Sequence, residues 1–136
     1  MEGLIPYLNF DGNTAEALAF YEKALEGNVV FKQTFGDSPM GSKMPDSHKD
    51  RIMHATFQAG PFSFMASDGP PGYEMKIGNN ISLSLHFSDL DKIDRVYKAL
   101  SEGGKAIMPM QETYWAKRFG MLIDKYGITW MFNMDK

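Results

Sequence analysis

Residues 81–104, ISLSLHFSDLDKIDRVYKALSEGG, decide the fold, because residues 7–27, YLNFDGNTAEALAFYEKALEG, run through the same order of elements. In the later stretch, Ile81, Leu83, Leu85 and Phe87 alternate with Ser82, Ser84 and His86, the period of a strand with one apolar face. Leu90, Ile93, Val96, Tyr97 and Leu100 then recur at helical spacing. In the earlier stretch, Ala17, Leu18, Tyr21, Ala24 and Leu25 form the matching helical stripe. Asn13 with Glu16 three residues on reads as a capping box, and Gly27 is placed to end the helix. YLNF (7–10) overlays SLHF (84–87), and YEKALEG (21–27) overlays YKALSEG (97–103).

The rest of the chain completes the repeat. Residues 4–10 read as a strand that leads into the first helix, and NVVFKQTFG after it as a strand rich in β-branched and aromatic residues. Residues 36–50 are loop by their Gly, Pro, Ser and Asp content. RIMHATFQAGPFSFMASD reads as two strands joined at 59–61, and 69–80 as a second long loop. In the second half, KAIMPM is a short strand, and 112–133 forms a closing hairpin around the turn DKYG. Each half is therefore strand, helix, strand, strand, strand. The expected division is a module over about 1–68, a linker over about 69–79 and a module over about 80–136.

Two βαβββ modules in one chain of this length resemble the vicinal oxygen chelate superfamily, and within it the PhnB-like group described as 3-demethylubiquinone 3-methyltransferase-like. The residues that carry the resemblance are PYLNFDGN and AEALAFYEKAL at the start, HATF and MASDGPPG in the middle, and QETYWAKRFGMLIDKYGITWMFN at the end. The resemblance implies an α+β fold of two tandem βαβββ modules, glyoxalase-like, with curled mixed sheets around a cleft and helices on the convex side. It also implies a divalent metal held by His, Gln or Glu in the first and last strands of a module, and pairing of two copies as a homodimer.

The residues at the implied metal positions do not suit that role. First-strand ligands would fall at about Ile5 and Ser82, and Met131 stands where metal-binding relatives place a Glu. None of the three is a usual ligand for a hard divalent cation. No metal and no cofactor are therefore expected. His48 lies in a loop and reads as solvated, while His54 and His86 sit on strand faces among Thr, Gln and Ser. An imidazole there can be a hydrogen-bonded neighbour or a proton donor and acceptor in a site.

What remains is a small-molecule face. By alternation it takes Tyr7 and Asn9 from the first strand, His54, then Ser82, Ser84 and His86, with Met131 and Asn133 (beside Thr129) on the last strand. Trp115 and Phe119 supply a wall, whereas Trp130 points the other way, into the core. Aromatic and apolar walls with a few hydroxyl, amide and imidazole groups are the usual make-up of a ligand site. Core filling competes for the same residues, and for the methionines Met53, Met65 and Met131 it is the simpler reading.

Composition narrows the function. The chain has 136 residues, 43% hydrophobic and 23% charged, with no cysteine and a net charge of −3. Cysteine chemistry is excluded, and the absence of a basic cluster argues against nucleic acid. There is no ~20-residue apolar run and no signal-type start, so a cytoplasmic protein off the membrane is expected. No G-x-G-x-x-G, G-x-S-x-G, P-loop or H-E-x-x-H occurs, and Glu112 and Asp124 read as surface or turn residues. The expectation is a metal-free binder of a small apolar or aromatic metabolite. The alternative is a metal-dependent lyase, isomerase or dioxygenase, and the residues give no support to methyl transfer.

Overall fold

Alternating strand patterns broken by one amphipathic helix per half produce the same element order twice. The computed structural model describes all 136 residues. The first half holds β1 (Tyr7–Phe10), α1 (Thr14–Ala24), β2 (Asn28–Thr34), β3 (Ile52–Ala59) and β4 (Phe62–Asp68). The second holds β5 (Leu83–His86), α2 (Leu90–Ser101), β6 (Lys105–Gln111), β7 (Ala116–Ile123) and β8 (Thr129–Asp135). The chain divides into two units, Met1–Lys76 and Ile77–Lys136. Each is a four-stranded mixed sheet, ordered β1-β4-β3-β2 and β5-β8-β7-β6, with its first strand parallel to its last. The fold is the expected α+β arrangement of two βαβββ units, and neither sheet closes into a barrel.

In the first unit, α1 buries Ala17, Leu18, Tyr21 and Ala24 against the sheet, with Leu25 just after it also buried. The Tyr21 ring meets Phe64 edge-on at 5.7 Å, and Phe64 stacks on Phe57 at 4.7 Å. The face bearing Leu8, Phe10, Ala55, Phe57, Phe64 and Ala66 is thus the helix side. Burial of side chains of this size contributes roughly 1.5–3 kcal/mol each. The second unit is built alike. Ile93, Val96 and Leu100 are buried, and the Tyr97 ring meets Phe132 edge-on at 5.2 Å.

The start of α1 departs from the capping-box reading. Asn13 occupies the cap position but makes no side-chain cap hydrogen bond. The cap comes from Asp68 at the end of β4. Its Oδ1 accepts from Gly12 N (2.7 Å), Thr14 N (3.1 Å) and Thr14 Oγ1 (2.7 Å), and its Oδ2 accepts from Ile52 N (2.8 Å). A carboxylate at a helix N-terminus is favoured by both the free amides and the helix dipole. In the second unit the cap is local, with Lys92 N donating to Asp89 Oδ1 at 3.1 Å.

Other expectations are corrected by tertiary context. Gly27 does not supply the left-handed residue after α1; Glu26 does, at φ 57°. Gly27 is needed because a Cβ there would fall 2.6 Å from the Gln58 carbonyl oxygen. The first strand begins at Tyr7 and the fifth at Leu83, so Ile81 and Ser82 precede their strand and are exposed. Leu90 is also exposed rather than part of the buried stripe. His48 is not solvated: its ring is buried, packs on Phe35 at 4.8 Å and places Nε2 2.9 Å from Gly69 O. Asp124 is a turn residue but a buried one. It accepts from Tyr126 N (2.8 Å), Ile128 N (3.1 Å) and Trp130 Nε1 (2.8 Å), which ties the β7–β8 turn to the core tryptophan.

Two outcomes follow from these contacts. Asp68→Ala strands several donors at once and should lower stability by about 2–4 kcal/mol in chemical denaturation, with Asp68→Asn intermediate. A loss below about 0.5 kcal/mol for the alanine variant would show that Asp68 does not cap α1. Tyr97 donates its hydroxyl to Met108 O at 2.9 Å, and burial pushes its pKa above the ordinary tyrosine value. A group whose folded pKa is raised stabilises fully below its unfolded pKa of about 10, and that contribution is lost as pH climbs through the folded value. Comparing wild type with Tyr97→Phe in melts from pH 8 to 11 should therefore show a shallower alkaline decline in the variant.

Candidate functional site

Because each helix covers one side of its sheet, strand alternation sends half of the strand side chains to the opposite, helix-free side. In the first unit Tyr7 lies opposite Met65, which lies opposite Thr56, and Asn9 lies opposite Ser67. In the second unit the rows are Ser84–Met131–Met121 and His86–Asn133–Phe119. These rows bring together seven of the residues singled out in the sequence: Tyr7, Asn9, Ser84, His86, Phe119, Met131 and Asn133. The two sets lie in different units.

In the first unit the helix-free face carries an aromatic trio. The Tyr7 hydroxyl oxygen is 3.0 Å from His54 Nδ1, with the rings 5.7 Å apart. Phe31, opposite Thr56 on the outer strand β2, stands 5.9 Å from the His54 ring. Phe31 was not singled out in the sequence. The irregular pairing of β2 between Val29 and Phe31 obscures simple alternation there.

In the second unit Ser84 Oγ is 3.3 Å from His86 Nε2. Asn133 is buried and donates from Nδ2 to Asp135 Oδ1 at 2.7 Å. Phe119 is buried, and Trp115 packs on it edge-on at 5.4 Å while remaining half exposed. Tyr114 meets Trp115 at 4.8 Å. Ser82 does not join these rows because it precedes β5. Trp130 faces the other way and is buried, as expected.

The fit to a divalent metal is poor. Ile5 and Ser82 lie outside the strands, and Met131 offers a thioether. Its counterpart in the repeat is also a methionine, since Tyr7 pairs with Met65 as Ser84 pairs with Met131. No three His, Asp or Glu side chains come together anywhere in the chain. A hard divalent cation requires oxygen and imidazole donors converging on one point, and this donor set does not supply them.

Two open grooves lie elsewhere. One of about 540 Å³, beside the start of α2, is lined by Leu90, Asp94, Lys117, Arg118 and Met134, with Arg118 already paired to Asp94. The other, about 390 Å³, runs between α1 and β2. The first contains none of the face residues, and the second reaches only Phe31 among them. The helix-free faces are the stronger candidates because imidazole, amide and hydroxyl groups meet aromatic rings there.

Comparison with known proteins agrees with the architecture. The family model described as 3-demethylubiquinone-9 3-methyltransferase matches residues 2–132. The crystal structure of protein PA1353 from Pseudomonas aeruginosa is 39% identical, covers 99% of this chain and 98% of its own, and superposes with a TM-score of 0.88. A structure from Bacillus cereus, described as a putative 3-demethylubiquinone-9 3-methyltransferase, PhnB protein, is 25% identical with a TM-score of 0.80, covering 98% and 99%. A glyoxylase/bleomycin resistance/dioxygenase domain from Frankia sp. EAN1pec, 14% identical over 100% of this chain and 99% of its own, shares the fold with a TM-score of 0.69. No helix of the chain is long and apolar enough to cross a membrane.

Proposed function

Because the chain belongs to the 3-demethylubiquinone-9 3-methyltransferase family, the PhnB-like group of the glyoxalase fold, we propose that it binds a small apolar or aromatic metabolite on its helix-free sheet faces without a metal. The observation that carries this reading is the register itself. It aligns Ser84, His86, Met131, Asn133 and Phe119 in two adjacent rows on one side of a sheet. A thioether and a phenyl ring supply adaptable apolar surface, and the imidazole, hydroxyl and amide fix orientation. The donor set described above favours this over a metal-dependent lyase, isomerase or dioxygenase.

Methyl transfer, named in the family description, is not part of the reading. At the start of α1, where a nucleotide donor's phosphate or carboxylate would be received, the amides of Gly12 and Thr14 already donate to Asp68. No glycine-rich strand-to-helix turn precedes either helix.

A thermal-shift panel of apolar and aromatic metabolites tests the reading. At least one compound should raise the melting temperature, since ligand at 100 times its Kd contributes about 2.7 kcal/mol. His86→Leu should weaken that shift, and Ni, Zn or Mn alone should leave the melt unchanged. Stabilisation by metal ions with none by any organic compound would overturn the proposal.

The same reading places the protein in the cytoplasm as a homodimer. The outer strands support the pairing, because β2 exposes Val30 and β6 exposes Ile107, and uncovered edges of this kind pair with other chains. Light scattering at micromolar concentration should give twice the chain's 15.3 kDa. A monomer mass would remove this part.

A further inference from the structure

We propose that His54 is a recognition point for an aromatic or conjugated ring bearing a carbonyl-type acceptor oxygen, carboxylate included. In this assignment, which rests on the small-molecule reading above, His54 presents Nε2–H to that oxygen while Tyr7 and Phe31 hold the ring.

The tautomer follows from the pairing. The Tyr7 hydroxyl lies 3.0 Å from His54 Nδ1. A phenol is the better donor and an imidazole nitrogen the better acceptor, so the proton stays on Tyr7 and Nδ1 accepts. A neutral imidazole whose Nδ1 accepts carries its own proton on Nε2. Tyr7 is the only hydrogen-bond partner of the His54 side chain. Nε2–H is therefore left to water or to a ligand. A donor in that position selects for an acceptor oxygen and gains nothing from a second donor.

The rings on either side define the rest of the ligand. Tyr7 and Phe31 are 43% and 50% exposed, large values for aromatic side chains in a sheet. They tilt at 37° and 48° to the imidazole instead of stacking flat on it. Each ring thus keeps free surface beside a single polar group. Such surface is covered best by a flat, polarisable partner, in offset or edge-on contact. No Asp or Glu hydrogen-bonds to the trio, so an anionic oxygen meets no paired carboxylate there.

Three probes separate the contributions: acetophenone and benzoate carry the acceptor oxygen, and ethylbenzene does not. In ¹⁵N-labelled protein, His54 should show an unprotonated Nδ1 in the free state, and Tyr7→Phe should return the ring to a mixture of tautomers. Acetophenone and benzoate should bind about tenfold more tightly than ethylbenzene, the equivalent of one hydrogen bond, and shift the Nε2–H signal. His54→Leu, checked by its melting curve, should reduce that preference to less than about twofold. Equal binding of ethylbenzene, or a preference that survives His54→Leu, overturns the assignment. Oxygenated probes that shift only His86 and Asn133 would leave the small-molecule reading standing and remove His54. Failure of all three probes to bind would remove the His54 assignment, while the metabolite panel decides the wider reading.

Discussion

Parallel pairing of the first and last strands in each unit is the constraint on which the rest depends. Two parallel neighbours cannot be joined by a tight turn, so the chain must cross over, and in both units the crossover begins with a helix. One helix can cover one face of a four-stranded sheet. In the first unit the arrangement is locked by Asp68, which reaches from the last strand to the amides that start α1 and to β3. A single carboxylate thereby joins the parallel pair, the helix and the neighbouring strand.

The second unit solves the same problem differently. Asp68 stands three residues after Met65, and the corresponding residue three after Met131 is Met134, which cannot cap a helix. There Asp89 caps α2 from its own turn, and a buried aspartate appears instead at the β7–β8 turn, where Asp124 holds Trp130. The buried carboxylates of both units are thus engaged by backbone amides and an indole, on the structural side of the fold. The helix-free sides carry thioether, imidazole, amide and hydroxyl groups, and the one carboxylate beside them, Asp135, accepts from Asn133. With the buried acids serving the scaffold, the free faces carry mainly soft or neutral groups, a poor donor set for a hard cation.

Local patterns in the sequence carried most of the architecture. Helical stripes, strand alternation and the repeated element order needed only neighbours within a few residues, and those are the parts that agree. Two of the errors come from contacts made far along the chain. Asn13 looked like a cap because the acceptor that displaced it lies 54 residues away from Thr14. His48 looked solvated because Phe35 and Gly69 enclose it from two separate loops. Asp124 is a different case, since its partners are local: the turn amides and the Trp130 indole six residues on bury the carboxylate. On the site, alternation placed Ser84, His86, Met131 and Asn133 correctly on one face. Phe31 was missed where β2 breaks register, and Ser82 was included because the start of β5 was set two residues early.

The eleven methionines offer a direct test of where a ligand lies. With ¹³C-methyl labelling, a mixture of aromatic fragments should perturb Met65, Met121 and Met131, the thioethers of the helix-free rows, in one or both units. Met40 and Met44, in the loop before β3, and Met134, at the end of β8, should stay unmoved. Perturbation confined to Met134, or to the loop methionines, would place the ligand off the helix-free faces and contradict the account.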